Sequence, residues 1–404
     1  MDNTGNRGPL GKEWLFCQEK HIFLSKKQKK LVLGIPYELD KNENRVCLTP
    51  ESVQILVSMG HTVLLQRGAG MNANYSDTEY CDSGAFIVET ATEVYTADIV
   101  LKATSVSLPE ARLMHDKQII LSPLKLFDLR KEAVMEMMQK KVTALGFDFI
   151  KDEDGFYPVM RIMSEIAGNC AIMIASEYLG NSRGGKGVIL GGISGITPTE
   201  VVILGAGTLG EYAARTALGL GATVKVFDHS VNRLRQLTTK LGQRIYTSVF
   251  HKPVLERALS TTDVLVGAMR CFGNEEDIVV SEEQVKLMKR GSVIVDLSID
   301  QGGCIGTSGP TTHEHPTYAY EGVIHYCVPN VLSRVARTAS IAFSNVFLPL
   351  LQEVAWAGGF PNAIRNNAGL RNGVYIYNGI LTKEAIADKF GLLSRDINLL
   401  IAAL

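Results

Sequence analysis

The chain has 404 residues, enough for two or three domains of about 100 to 200 residues each. With 41 Lys and Arg against 42 Asp and Glu, it has no net field to hold a polyanion, which argues against a nucleic-acid partner. The cysteines (Cys17, Cys47, Cys81, Cys170, Cys271, Cys304, Cys327) are odd in number and never at CxxC spacing. That pattern argues against a disulfide framework and a structural zinc site, and it fits a reducing cytoplasm.

Residues 1–30 are polar and end in Lys26, Lys27, Lys29 and Lys30, so they are expected to form a solvated extension. The first apolar stretch, Trp14 to Phe16, is too short for a signal peptide. From Leu31 strands and helices alternate. Strands are expected at 31–36, 61–66, 85–88, 97–102 and 142–147. A helix starts at Thr49-Pro50, where the threonine hydroxyl can cap free amides, and Gly60 closes it. Another helix is expected over 128–141. Such alternation implies a parallel sheet covered on both faces. Residues 163–179 read as a hinge helix, which leads through the glycine-rich stretch 183–195 into a second series of strands at 201–204, 223–227, 264–268, 292–297 and 323–327. After Asn330 the chain reads as helical to its end, packing back on the first domain. Residues 339–360 are the most lipid-like, but Asn345, Pro349, Gln352 and Glu353 interrupt them. About 20 mainly apolar residues are needed to span a bilayer, so a buried helix and no membrane contact are expected.

The resulting fold class is α/β with two doubly wound domains, the second a Rossmann domain inserted in a discontinuous first. Residues 31–162 and 336–404 form the substrate domain, and 163–335 the dinucleotide-binding domain. The clearest local signal is VVILGAGTLG at 201–210, a strand entering GxGxxG and then a helix. Gly205 permits the tight turn, Gly207 lets backbone amides approach a pyrophosphate, and Gly210 allows close helix packing, with Thr208 and Leu209 between them. Asp228, at the end of the next strand, suits the adenosine ribose hydroxyls and would repel a 2′-phosphate, which favours NAD over NADP. His229 and Arg233 weaken that exclusion. His313 and His315 have no third convergent ligand, so no metal is expected.

Further segments resemble the alanine dehydrogenase and transhydrogenase N-terminal family: GIPYELDKNENRVCLTP at 34–50, RGAGMNANYSD at 67–77, MSEIAG at 163–168, GGKGVILGGISGI at 184–196, VDLSIDQGGC at 295–304, PTTHEHPTY at 310–318 and HYCVPN at 325–330. The resemblance implies a reversible reaction in which L-alanine, NAD⁺ and water give pyruvate, ammonium and NADH. It also implies small-molecule partners and a homo-oligomer, hexameric in soluble members. By the same resemblance Arg45 binds the substrate carboxylate, Asp300 is the acid/base beside the nicotinamide, Asn330 lies near the nicotinamide and substrate, and Ser164 contacts the cofactor.

Two positions depart from the family pattern. Thr104 stands where members carry a substrate-binding lysine, and Lys125 where they carry a catalytic histidine. Lys102, on the same face if the strand continues, could reach toward the vacated place. Lys125 could instead supply both the cation and a hydrogen-bond donor, and this is the favoured reading. Cys304 and Cys327 are expected to be packing residues. The departures leave three alternatives open: a dehydrogenase for another amino acid or 2-oxo acid, an NAD-binding protein without turnover, and a transhydrogenase subunit.

Overall fold

The computed structural model describes residues 28–271 and 277–402. Most of the N-terminal extension, Cys17 included, lies outside the described residues. Six strands of the first series, β1 (Val32–Ile35), β2 (Thr62–Gln66), β3 (Phe86–Val88), β4 (Ile99–Leu101), β5 (Ile119–Ser122) and β6 (Thr143–Gly146), pair in parallel. The second series forms β7 (Glu200–Leu204), β8 (Thr223–Phe227), β9 (Tyr246–Ser248), β10 (Val264–Gly267), β11 (Val293–Asp296), β12 (Thr317–Tyr320) and β13 (Val323–Tyr326). It makes a seven-stranded sheet in the order β12-β13-β11-β10-β7-β8-β9. Central strands such as β4, β10 and β11 are buried along their whole length. Helices cover both faces, so these strands read as unbroken aliphatic runs rather than alternating ones.

Two expectations are corrected. The chain after Asn330 is not helical throughout: β14 (Val374–Tyr377) and β15 (Ile380–Leu381) join the first sheet, giving the order β15-β14-β6-β5-β4-β1-β2-β3. β14 runs antiparallel to β6, and all four of its residues are buried. Its Val-Tyr-Ile-Tyr sequence suits a pleated surface, but four residues after two short helices carry too little periodicity to be read alone. The second correction concerns Thr49. Its hydroxyl makes no cap on the helix Pro50–Ser58. Instead its backbone N–H donates to Ser344 Oγ at 2.7 Å.

The helix Pro158–Leu179 starts five residues before the expected position 163, with Pro158 in the first turn, where a missing N–H is harmless. Val159 and Met163 belong to the core of the first sheet, and Ala167 to Leu179 to the core of the second, so this helix joins the lobes. At Gly168 an added Cβ would lie 2.4 Å from Leu209 O, a sign of how closely it crosses the helix Thr208–Gly219. It is long and apolar enough to cross a membrane, and half of it is buried inside the protein. The helix Ala336–Trp356 packs Phe343, Phe347, Leu351 and Val354 into the first core.

Candidate active site

The carboxyl ends of β7 and β8 carry the dinucleotide turn. Gly205 has φ 110°, and a Cβ there would lie 2.5 Å from Ala268 O. At Gly210 a Cβ would lie 2.0 Å from Gly205 O, so only glycine lets the helix Thr208–Gly219 sit this close to the turn. Gly207 differs, because nothing lies within 4 Å of where its Cβ would be. Its lack of a side chain serves no packing need of the protein, as expected of a face kept bare for a ligand. Gly207 caps the twelve-residue helix, whose first amides, from Thr208 and Leu209 onward, are the donors an anion needs. Asp228 is buried at the end of β8. Its Oδ2 accepts Ala206 N–H at 2.8 Å and its Oδ1 accepts Ser230 N–H at 2.7 Å. The carboxylate therefore braces the turn, and each oxygen keeps a lone pair for a ribose hydroxyl. Arg233 is exposed, with Nη1 4.0 Å from Asp228 Oδ2. Ser164 donates its hydroxyl to Met160 O at 2.7 Å within its own helix, which leaves it an acceptor. These residues fit a dinucleotide.

Four residues from three segments, Asp300, Asn330 and the Glu43–Arg45 loop, make a connected polar chain. Asn330, left-handed at φ 55°, donates its backbone N–H to Asp300 Oδ1 at 3.0 Å. Its Nδ2 donates to Asn42 O and to Glu43 Oε2, each at 3.0 Å. Glu43 in turn accepts Arg45 Nε at 2.7 Å and Nη2 at 2.5 Å. The Arg45 guanidinium is buried, lies 4.8 Å over the Phe343 ring, and directs Nη1 toward Met163 Sδ at 3.8 Å. Burial acts to lower its pKa, but the Glu43 charge and hydrogen bonds override this and hold it above the ordinary value. The loop carrying Arg45 is fixed by three serine hydroxyls. Ser333 Oγ accepts Asn44 N–H at 2.6 Å, Ser340 Oγ accepts Val46 N–H at 2.9 Å, and Ser344 Oγ accepts Thr49 N–H as described above. Sequence reading missed Glu43 and all three serines, since each acts through a partner far along the chain or through backbone.

Asp300 is exposed at its surface, yet the protein around it strips enough hydration to raise its carboxyl pKa. Lys125, the Asn330 N–H and Arg45 pull it back down, which brings Lys125 and Arg45 within electrostatic reach of Asp300. Lys125 is half-buried in the loop after β5. Asp148, which sequence reading also missed, stands nearby in the turn after β6. Burial pushes its carboxyl up to about 6, against the Leu124 N–H, Lys125 and Arg270.

Lys102 does come close to Thr104, because both donate to Glu38 Oε2, but its charge is already paired there. β4 ends at Leu101, yet the Lys102 N–H still donates to Leu121 O at 2.9 Å, so the pairing with β5 runs one residue further. The Lys102 ammonium is buried between two carboxylates, 2.8 Å from Glu38 Oε2 and 2.6 Å from Glu110 Oε1. Burial favours loss of its proton, but the two carboxylates outweigh this and raise its pKa. Thr104 Oγ1 donates to the same Glu38, and Ala103 N–H donates to Glu38 Oε1 at 2.6 Å. Lys102 is thus a structural cation, which argues against the role of substrate ligand. Cys304 and Cys327 are buried.

One lobe carries the glycine turn, the other Arg45, Glu43 and Lys125, and Asn330 links Asp300 to Glu43, which defines the class: a two-lobed α/β protein with a Rossmann-like dinucleotide-binding domain. Comparison with known proteins narrows this. The alanine dehydrogenase/PNT N-terminal domain matches residues 34–167, and the alanine dehydrogenase/PNT C-terminal domain matches 171–384. The chain belongs to the alanine dehydrogenase/PNT family. An alanine dehydrogenase of Methanococcus maripaludis is 39% identical over 364 residues, covering 90% of this chain and 97% of that protein. One from Bacillus subtilis is 38% identical over 362 residues, covering 89% and 95%. The solved structure of an L-alanine dehydrogenase superposes with TM-score 0.83 at 34% identity, covering 89% of this chain and 99% of that one. A transhydrogenase from Sinorhizobium meliloti, at 21% identity and TM-score 0.73 over 88% of this chain and 99% of that one, shares the fold.

Proposed function

We propose that the protein is an NAD-dependent alanine dehydrogenase, interconverting L-alanine, NAD⁺ and water with pyruvate, ammonium and NADH. The observation that carries this reading is likeness along nearly the whole chain to alanine dehydrogenases at 35–39% identity. The turn from Gly205 to Gly210 and Asp228 would hold NAD, whose nicotinamide, when bound, supplies the hydride acceptor. Arg45 and Lys125 bind and orient the substrate carboxylate. Asn330 keeps Asp300 and Glu43 in register with Arg45. Asp300, its carboxyl disposed by burial to keep a proton, handles the proton at the substrate nitrogen or oxygen. Lys125 is also the donor to the carbonyl oxygen, in place of the family's histidine.

The same reading gives the protein small-molecule partners, a reducing cytoplasm and a homo-oligomeric state, hexameric by family resemblance. Thr104 and Lys125 favour one second reading, a dehydrogenase for a different 2-oxo acid, because both positions bear on how a carboxylate and a carbonyl are held. NADH oxidation at 340 nm with ammonium and a panel of oxo acids separates the two. The proposal expects pyruvate to give the highest kcat/KM. Turnover of another oxo acid without pyruvate overturns the choice of substrate, and no turnover on any oxo acid overturns the proposal.

A further inference from the structure

Asp148 emerges at the carboxyl edge of the first sheet, the edge that also presents Lys125. Its Oδ1 accepts the N–H of Leu124, the residue before Lys125, at 2.9 Å. The backbone leaves little slack there: a Cβ at Gly146 would lie 2.7 Å from Leu124 Cβ and 3.0 Å from Asp148 Oδ1. The carboxyl is therefore locked to the lysine loop. Arg270, beyond β10 on the other lobe, adds a second positive charge acting on it. Among the described residues, Lys383, after β15, and Tyr375, on β14, also feel its charge.

We propose that Asp148 is an internal competitor for the positive charge that receives a substrate carboxylate, so that its protonation state sets the affinity of the cleft for 2-oxo acids. The inference rests on the reading of the cleft as an oxo-acid site. Its sign follows from charge. Ionised, Asp148 offsets Lys125 together with Asp300. Protonated, it withdraws its share of that offset. Burial holds its carboxyl near the neutral range, at about 6, so the change of state falls at mildly acidic pH. At an effective dielectric constant of about 20, a unit charge about 12 Å from an anion alters its affinity by roughly tenfold, and a closer one by more. Asp148 is a positioning residue here: it acts through the cations and touches no reacting atom.

The test follows binding of oxamate, an unreactive pyruvate analogue, to the protein–NADH complex by quenching of nicotinamide fluorescence, together with the KM for pyruvate. Both ligands stay anionic over the range, about pH 5 to 8. In the wild-type protein both quantities should fall roughly tenfold as pH drops through about 6, with kcat changing less. Asp148→Asn keeps an acceptor for the Leu124 N–H but carries no charge, and it should bind tightly at every pH. Asp148→Glu should restore the step. A flat wild-type profile overturns the inference whether or not a variant folds, as does an Asn variant that keeps the step or binds oxamate more weakly. An oxamate step without turnover of any oxo acid sinks the dehydrogenase reading and spares the inference. Turnover with no step does the reverse.

Discussion

Replacing Lys102 by methionine removes the ammonium that Glu38 and Glu110 hold at 2.8 and 2.6 Å, and leaves two carboxylates facing each other inside the first lobe. Breaking a buried ion pair by deleting one partner costs about 3–5 kcal/mol, because the remaining charge loses its compensation. Other donors soften the loss. Glu38 keeps the Ala103 N–H and the Thr104 hydroxyl, and Glu110 keeps the Ser107 N–H at 2.9 Å and hydroxyl at 2.6 Å. The expected cost is therefore about 3 kcal/mol, the lower end of that range. Urea unfolding, followed by a probe in the first lobe so that the two lobes are not averaged, measures it. In a Lys102→Met/Glu110→Gln double variant one orphaned charge is gone, and about 1–2 kcal/mol should return. The sign of the pH dependence is fixed by the raised pKa of Lys102. Its contribution is complete below the unfolded value of 10.5 and is lost as pH rises through the higher folded value. The gap between wild type and variant should thus be constant through neutral pH and close only in strong alkali. A loss under about 1 kcal/mol, or a double variant no better than the single, would refute the account of Lys102 as a structural cation.

The two glycines of the nucleotide turn should part company. Gly210→Ala places a Cβ 2.0 Å from Gly205 O and should lower the thermal midpoint, at an overpacking cost of about 1–3 kcal/mol. Gly207→Ala meets no protein atom within 4 Å, so it should melt like the wild type while losing at least about tenfold in NADH affinity by fluorescence titration. Equal melting and equal affinity in the two variants would count against the turn as a cofactor site. Arg45→Lys forfeits the planar fork that grips Glu43 at 2.7 and 2.5 Å, and kcat/KM for the oxo acid should fall about a hundredfold with NADH affinity unchanged. An unaltered kcat/KM would remove Arg45 from the substrate site.

What the sequence made legible was local. The strand, the glycine turn and the following helix at 200–219 could be read because the signal, an apolar run entering GxGxxG, is contiguous in the chain, and Gly210 answers a steric demand only five residues away, at Gly205. The long joining helix could be read from its apolar length, and Asp228 from its place at a strand end. The parts that escaped depend on partners remote in sequence. Glu38 and Lys102 are separated by 64 positions, and Asn44 and Ser333 by 289, so no spacing rule brings them together. Lys102 misled for a physical reason: its side chain does lie beside Thr104, but Glu38 and Glu110, which no spacing rule links to it, already claim its charge. Asp148 carried no motif at all. Its interest comes from burial beside Lys125, which only the folded chain supplies.

The central claim is that the nucleotide turn and the Arg45 cluster serve one reaction, with the nicotinamide facing the carbon of a bound oxo acid. Incubating the protein with NADH deuterated at the transferable C4 position, ammonium and pyruvate, and weighing the amino acid formed by mass spectrometry, tests it directly. The account predicts L-alanine carrying one deuterium at C2. Alanine without the label, or no alanine while the nucleotide is demonstrably bound, would contradict it.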